Sequence, residues 1–319
     1  MIIFGDLHLD SHEELIDEKI SILDNNIQKY EYNIIFLGDI FNNRKSISTI
    51  AAQKIQNLIK KYNDRKFYML VGNHDMYYVE KISPNSLETT FSNFDNVIII
   101  DKPFEIDNFL LIPWICKENY EICVDAIKST DKKYLCGHLE INSFYMTKGI
   151  ECHSKFKIFD FDKFEWVLSG HFHNAQQKNN IIYVGSILQE SWNDFNNQKR
   201  FIIINNDKIE SIDTCSQVYK HLILENKDSN FNIDEYKDCH VKIFHNEKLS
   251  KKQFDKIELL TKEVRSYKIF DESVELNEVK IERIEFSEVL NEFFQHQHEI
   301  EDDFKNDVKD YLLMKYNEV

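Results

Sequence analysis

An α/β fold with a smaller α+β unit behind it is predicted by three observations. Short runs rich in β-branched and aromatic residues alternate with helix-like stretches over the first two-thirds of the chain. Several of these runs are continuously apolar, as in strands covered on both faces. After about residue 205 glycine and proline vanish and charge density rises.

The predicted strands are Met1–Phe4, Asn33–Leu37, Lys66–Val71, Val97–Ile100, Phe109–Ile112, Lys133–Cys136, Glu165–Ser169, Ile181–Val184 and Arg200–Ile204. Helical periodicity fits Leu15–Tyr30 and Ile47–Tyr62. Behind them, His240–Phe244 reads as a strand, Ser250–Ser266 as a helix and Val274–Ile281 as another strand. Ser250 and Gln253 make a capping-box pair, and Phe254, Ile257, Leu260 and Val264 fall on one helical face. From Glu285 the pattern is two amphipathic helices. Phe286, Val289, Leu290, Phe293 and Phe294 mark one face; Ile300, Phe304, Val308, Tyr311 and Leu312 mark the other. The expected domains are 1–205, 206–283 and 284–319.

A length of 319 residues with 42% hydrophobic content can bury a sizeable core. A net charge of −16 means that the surface as a whole repels nucleic acid, so DNA contact needs a local basic patch or bound metal. Basic pairs such as Arg44-Lys45 are short and isolated. Cys116, Cys123, Cys136, Cys152, Cys215 and Cys239 form no C-x-x-C pair. That disfavours ribbon and thioredoxin-like centres and fits reduced core thiols. No secretion signal opens the chain, and no window approaches the ~20 apolar residues of a membrane span. A soluble, cytoplasmic protein without a membrane partner is expected.

There are only seven glycines, although average usage is about 7%. Gly5, Gly38, Gly72, Gly137 and Gly170 directly precede Asp6, Asp39, Asn73, His138 and His171, each where an apolar run ends. A glycine there lets the chain turn sharply. Functional groups of α/β sheets gather beyond the carboxyl ends of strands, so five distant motifs are expected to share one crevice.

The motifs are Gly5-Asp6-Leu7-His8, Gly38-Asp39-Ile40-Phe41-Asn42, Gly72-Asn73-His74-Asp75, Gly137-His138 and Gly170-His171-Phe172-His173. Their oxygen and imidazole donors suit Mn²⁺, Fe²⁺ or Zn²⁺, with manganese the metal expected. A mononuclear site takes about three or four protein ligands. Asp6, His8, Asp39, Asn73, His138, His171 and His173 exceed that, which points to two divalent ions sharing a bridge. Asp39 is the candidate bridge, because each carboxylate oxygen can take one metal. Two ions about 3.5–4 Å apart activate water and stabilise the attacking and leaving oxygens of an in-line phosphoryl displacement. His74 is left over, to protonate the leaving oxygen or bind developing charge. Asp75 is either a partner behind a ligand histidine or a turn residue. A lone Asp-x-His is ordinarily a turn; the ordered set is what makes the signal specific. His12, His153, His221, His240, His245, His296 and His298 lack this context and read as surface or satisfied groups. Trp114 is expected to pack beside the site rather than stack on a base.

In these motifs the chain resembles the calcineurin-like metallophosphoesterase superfamily, and within it the nuclease subunits of SbcD-type double-strand-break-repair complexes. Ile112-Pro113-Trp114, Gly137-His138-Leu139-Glu140, Ser169-Gly170-His171-Phe172-His173 and Tyr183-Val184-Gly185-Ser186 narrow the likeness to recombination endonuclease subunits of T-even-type bacteriophages. It spans nearly the whole chain, strongly to about residue 205 and more weakly beyond. The resemblance implies an α/β metallophosphoesterase β-sandwich flanked by helices in four αββα layers, a small α+β capping domain and C-terminal helices. It implies Asp6, His8, Asp39 and His173 around one metal, Asp39, Asn73, His138 and His171 around the other, and a catalytic His74. It also implies DNA exonuclease or endonuclease activity in repair and recombination, a homodimer, and an SMC-like coiled-coil ATPase partner. One position departs from the pattern. Three residues after the bridging aspartate the family carries Asp or His, which orients or charges the catalytic histidine. Here it is Asn42, whose amide adds no charge.

A phosphatase or cyclic-nucleotide phosphodiesterase on the same core stays open, since both chemistries use one site. A decayed scaffold is disfavoured because no ligand position is lost. The tail favours the nuclease. Its two aromatic stripes need covering, and its ten acidic against three basic residues from Glu285 onward suit a protein partner rather than DNA.

Overall fold

The apolar runs build two six-stranded sheets stacked face to face. The computed structural model describes residues 1–271 apart from 148, 155, 157, 215 and 216. The expected strand at 274–281 and the helical segment at 284–319 lie outside the described residues. In chain order the strands are β1 (Ile2–Phe4), β2 (Ile34–Phe36), β3 (Phe67–Leu70), β4 (Met76–Tyr78), β5 (Lys81–Asn85), β6 (Val97–Ile100), β7 (Phe104–Ile106), β8 (Phe109–Ile112), β9 (Tyr134–His138) and β10 (Tyr145–Thr147). They continue with β11 (Ile150–Glu151), β12 (Trp166–Gly170), β13 (Gln176–Lys178), β14 (Ile181–Tyr183), β15 (Arg200–Asn205), β16 (Lys208–Asp213), β17 (Tyr219–Leu224), β18 (His240–His245) and β19 (Ser266–Asp271). The helices are α1 (Ile16–Lys29), α2 (Thr49–Lys61), α3 (Ser86–Phe91), α4 (Tyr120–Ser129) and α5 (Lys251–Leu260).

The first sheet runs β16-β15-β1-β2-β3-β6, with β1, β2, β3 and β6 parallel and β15 antiparallel to β1. The second runs β13-β14-β12-β9-β8-β7, with β14, β12, β9 and β8 parallel. All nine predicted strands are members of these two sheets, eight of them internal and β6 at an edge. Their continuous apolar character follows from the layering, because alternate residues point to opposite faces. Ile3, Ile35, Leu37, Tyr68 and Leu70 meet Leu111, Cys136, Leu168 and Val184 between the sheets. Ile2, Phe4, Ile34, Phe36 and Met69 pack outward under α1 and α2, against Leu23, Ile27, Ile55 and Ile59. On the far side Leu110, Leu135 and Val167 pack against Cys123 and Ile127 of α4. This is the mixed α/β, helix-flanked sandwich that was expected.

Two expectations about the second unit change. The hairpin β15–β16 pairs from Arg200↔Asp213 to Asn205↔Lys208, so the first sheet runs through the boundary drawn at residue 205. The predicted helix at 250–266 is α5, and it stops at Leu260 because the chain turns there into β19. Its capping box forms as predicted: Ser250 Oγ accepts the Gln253 N–H, and the Gln253 side chain takes the Ser250 N–H. Ile257 and Leu260 are buried, but Phe254 is 60% exposed and Gln253 takes its place inward. The parallel sheet β17-β18-β19 covers α5 through Leu222, Leu224, Val241 and Ile243. Among the described residues no helix is long and apolar enough to cross a membrane. Cys116, Cys123, Cys136, Cys152 and Cys239 are free and buried.

Candidate metal centre

The candidate residues all emerge at the carboxyl ends of parallel strands: β1, β2 and β3 from one sheet, β9 and β12 from the other. The glycines bring these ends together, though mostly not by turning. Of the five motif glycines only Gly38 has a positive φ, at +107°; a Cβ on Gly5 would lie 2.0 Å from Gly185 O and one on Gly72 would lie 2.2 Å from Asp39 Oδ1. They are needed for close approach of two backbones. The left-handed conformations fall instead on the candidate ligands themselves: His8 at φ 40°, Asp39 at 51° and His171 at 86°. Such residues cost on the order of 1–3 kcal/mol each, strain that the surrounding structure must hold.

Two clusters of candidate donors form and share a residue. Asp39, His138 and His171 make one; Asp6, His8 and Asp39 make the other, with all donor atoms of each cluster within 4.8 Å. Asn73 Oδ1 joins the first cluster, 2.9 Å from His138 Nε2 and 3.1 Å from His171 Nδ1. His173 joins the second, its Nε2 3.0 Å from His8 Nε2. The arrangement therefore brings all seven candidate ligands together. Asp39 sits between the two clusters, but not with one oxygen toward each as expected. Its Oδ1 accepts the His74 N–H at 2.8 Å, while Oδ2 alone lies 3.3 Å from His138 Nε2 and 3.7 Å from His8 Nε2. One oxygen faces both clusters, because the other is committed to the backbone.

Three features fit a cation. Asp6 Oδ2 is buried with no hydrogen-bond partner among the described residues, although Oδ1 accepts the His171 N–H at 2.8 Å. Burial pushes the Asp6 carboxyl up, as expected of a carboxylate lacking a counter-ion. His138 Nδ1 donates to the Leu37 carbonyl at 2.7 Å, which aims Nε2 at Asp39 and Asn73. Burial would lower His138, but Asp39 outweighs it and pushes the imidazole up to about 9. Burial would raise Asp39, but His138 and His8 outweigh it and hold the carboxyl far below the usual range. Burial, then the charge of His138, takes His171 down to about 3, and burial takes His8 well below its ordinary value. Asp39, His8 and His171 are thus held in the form that ligates a metal, and the proton on His138 stands where a cation would.

His74 lies beside the clusters rather than in either. Its Nδ1 donates to the carbonyl oxygen of Asn42 at 2.6 Å, and its ring meets the His8 ring edge-on at 5.0 Å. Orientation thus comes from the backbone of Asn42, not from the amide that the sequence suggested. Asp10, which sequence reading missed, holds that backbone: its Oδ1 accepts the Asn42 N–H at 2.6 Å and its Oδ2 the Ser48 N–H at 3.2 Å. The alternation of Asp6, His8 and Asp10 was its only signal. Asp75 lies in the turn 73–75, the second of its two readings, and among the described residues its carboxylate accepts from no ligand histidine. It is fully buried and accepts N–H groups of Asp39, Phe41 and Gly72 together with the Ser86 hydroxyl. Burial, then the charge of Asp39, pushes it up to about 7. Trp114 packs beside the site, its ring 4.8 Å from His171 and 5.8 Å from His138. A cleft of about 920 Å³ opens there, lined by Trp114, His138, Glu80, Glu118, Glu121, Glu140 and His153 among others.

Exonuclease subunit 1 of Enterobacteria phage T4 is 33% identical over 156 residues, covering 47% of this chain and 45% of that protein. The putative phosphoesterase 244L of Invertebrate iridescent virus 6 is 26% identical over 228 residues, covering 65% of this chain and 76% of the relative. The chain thus spans less than half the length of the phage relative. The crystal structure of Pseudomonas putida nuclease MPE aligns with a TM-score of 0.32 and 13% identity over 66% of this chain and 70% of that one. The sequence profile described as calcineurin-like phosphoesterase matches residues 1–175 and so takes in all five glycine-led motifs. With more than half of its length inside that profile, the chain belongs to the calcineurin-like phosphoesterase family.

Proposed function

We propose that this chain hydrolyses DNA phosphodiesters with two divalent ions, manganese foremost, as the nuclease subunit of an ATPase-coupled repair or recombination complex. The observation that carries the reading is Asp39 Oδ2, the single oxygen within 3.3 Å of one imidazole cluster and 3.7 Å of the other. Asp6, His8, Asp39 and His173 would hold one ion, and Asp39, Asn73, His138 and His171 the other. Bound there, the ions supply Lewis-acid stabilisation of the scissile phosphate and lower the pKa of water. The protein's own part is positional and protonic. Leu37 and Asn42 aim two imidazoles through their carbonyls, and Asp75 fixes the turn that presents Asp39. With Nδ1 engaged, His74 keeps Nε2 for the leaving oxygen, which it protonates as the ester bond breaks.

A nucleic-acid substrate is supported by the hairpin β4–β5, which starts immediately after Asp75 and whose tip residues Val79 and Glu80 line the cleft. It exposes Tyr77 and Tyr78 at 43% and 51%, edge-to-face at 4.8 Å. Lys45 lies 6.0 Å from the Tyr77 ring and Lys81 5.9 Å from the Tyr78 ring. Aromatic faces with adjoining cations suit unpaired bases and their phosphates. The glutamates of the neighbouring cleft repel a polyanion, so the DNA backbone is assigned to the hairpin side. The phage relative, named an exonuclease subunit, agrees with this choice over a phosphatase acting on small esters.

Purified protein with Mn²⁺, labelled duplex DNA and, separately, a generic phosphomonoester distinguishes the two. DNA cleavage abolished by chelator is expected. Turnover of the monoester alone would replace the nuclease reading, and full DNA cleavage in excess chelator would remove the two-metal mechanism.

A further inference from the structure

Two lysines, Lys19 and Lys199, are 0% and 2% exposed, and the scheme above uses neither. Lys19 sits on the inward stripe of α1 with Ile16, Leu23 and Ile27, where an apolar residue would continue the pattern. Its Nζ donates to the His8 carbonyl oxygen at 2.6 Å and to Ser11 Oγ at 2.9 Å, and lies 2.7 Å from Glu190 Oε1. Lys199 Nζ donates to the His173 carbonyl oxygen at 2.9 Å, to Ser186 Oγ at 2.8 Å and to Asp194 Oδ1 at 2.8 Å. The two carboxylates belong to one loop and are tied together, since Asp194 Oδ2 accepts the N–H groups of Glu190 at 2.9 Å and Ser191 at 3.0 Å.

Burying an ammonium is unfavourable even when it is paired, and a well-packed apolar side chain commonly serves stability as well or better. Two such lysines served by one loop therefore call for a role beyond stability. Each grips the carbonyl of a histidine, and these are the two histidines whose Nε2 atoms converge at 3.0 Å. His8 needs the grip. Its φ is 40°, and its Nδ1 is buried without a partner among the described residues. His138 and His74, by contrast, are anchored through Nδ1. With no hydrogen bond at Nδ1 to fix the His8 ring from behind, its backbone must do so.

We infer that Lys19 and Lys199 are positioning residues for one of the two metal sites, clamping His8 and His173 so that both imidazoles face the ion shared with Asp6 and Asp39. The inference rests on the two-metal reading. The other cluster, Asn73, His138 and His171, is predicted to be indifferent to both lysines.

The test is equilibrium dialysis of the full chain against Mn²⁺ with elemental analysis, alongside melting in chelator. The variants are Lys19→Met, Lys199→Met and the charge-matched pairs Lys19→Met/Glu190→Gln and Lys199→Met/Asp194→Asn. Wild type is expected to bind two ions. Each variant is expected to keep one ion at wild-type affinity and to bind the other roughly 10–100-fold more weakly. The paired variants, which no longer bury a lone carboxylate, recover melting temperature but not the second ion. Two ions at wild-type affinity in a folded variant overturn the inference and leave the two-metal reading standing. Equal weakening of both sites in a folded variant also overturns it. Wild type that binds fewer than two ions overturns inference and reading together.

Discussion

His74 has one ring nitrogen committed to the Asn42 carbonyl and the other left for chemistry. Replacing it with alanine is expected to lower turnover by about two to four orders of magnitude, with two ions still found by elemental analysis. Loss of an ion would make His74 a ligand. Asp39→Ala is expected to lose both ions, because Asp39 Oδ2 faces both clusters. His138 sets the pH dependence. Its ordinary value is 6.5, and Asp39, overcoming burial, pushes it up to about 9 in the folded chain. In chelator the extra proton affinity stabilises the fold fully below pH 6.5, and that contribution is lost as pH rises through 9. A metal must displace the same proton, so its apparent affinity rises over the same window, about tenfold per pH unit. Melting temperature in chelator is therefore expected to fall across the window while the manganese-induced increment grows. Two series with the same slope would show that His138 carries no such proton.

Scarce glycines and strand ends act together in placing the ligands. A Cβ on Gly72 would stand 2.2 Å from Asp39 Oδ1 and 2.4 Å from Asp39 N, so the end of β3 or the Asp39 carboxylate has to move. Gly72→Ala is expected to lose both ions in dialysis while circular dichroism stays near native. Gly149→Ala is the control. It meets nothing within 4 Å, and its φ of +85° predicts a backbone cost of about 1–2 kcal/mol with both ions retained. The hairpin β4–β5 is predicted to matter for DNA alone. Tyr78→Ala removes a stacking surface that is worth about 1–3 kcal/mol per base. It is expected to raise KM for single-stranded ends and leave phosphomonoester kinetics unchanged, whereas an equal effect on both substrates would reduce Tyr78 to a structural role.

The smaller unit rests on the same loop that neutralises the two buried lysines. Gln189 Oε1 accepts the Tyr219 N–H and the Tyr219 hydroxyl donates to the Glu190 carbonyl. His221 stacks on Phe195 with ring centroids 3.8 Å apart, Lys242 lies over Trp192 at 4.1 Å, and Arg265 pairs with Glu18 at 3.3 Å. This docking joins β17 and β18 to the phosphoesterase core. The aromatic stripes after Glu285 carry the expectation of an ATPase partner. A chain truncated after Arg283 is predicted to retain manganese-dependent cleavage and to lose co-purification with that subunit. Unfolding, or undiminished binding, would assign the stripes to the chain's own core.

The sequence alone determined nine strands of the two large sheets, the two long helices and the seven donor residues that the fold brings together. Each has a local signature: apolar runs buried on both faces, a 3.6-residue stripe, or a glycine and donor at a strand end. It did not reveal that the strands divide between two sheets without the help of resemblance, because a run covered by helices and one covered by a second sheet look alike. Nor could it show that a single Asp39 oxygen faces both clusters, that Asn42 acts through its carbonyl, or that Asp75 clamps a turn. Those depend on backbone groups brought together from positions 32 to 36 residues apart. Lys19 on an apolar stripe was a visible anomaly, but its partner lies 171 residues along the chain, Glu190 facing it across the fold. Periodicity records whether a residue is buried. Which charge or carbonyl it meets there is settled by tertiary packing, since only folding brings distant groups within hydrogen-bond range.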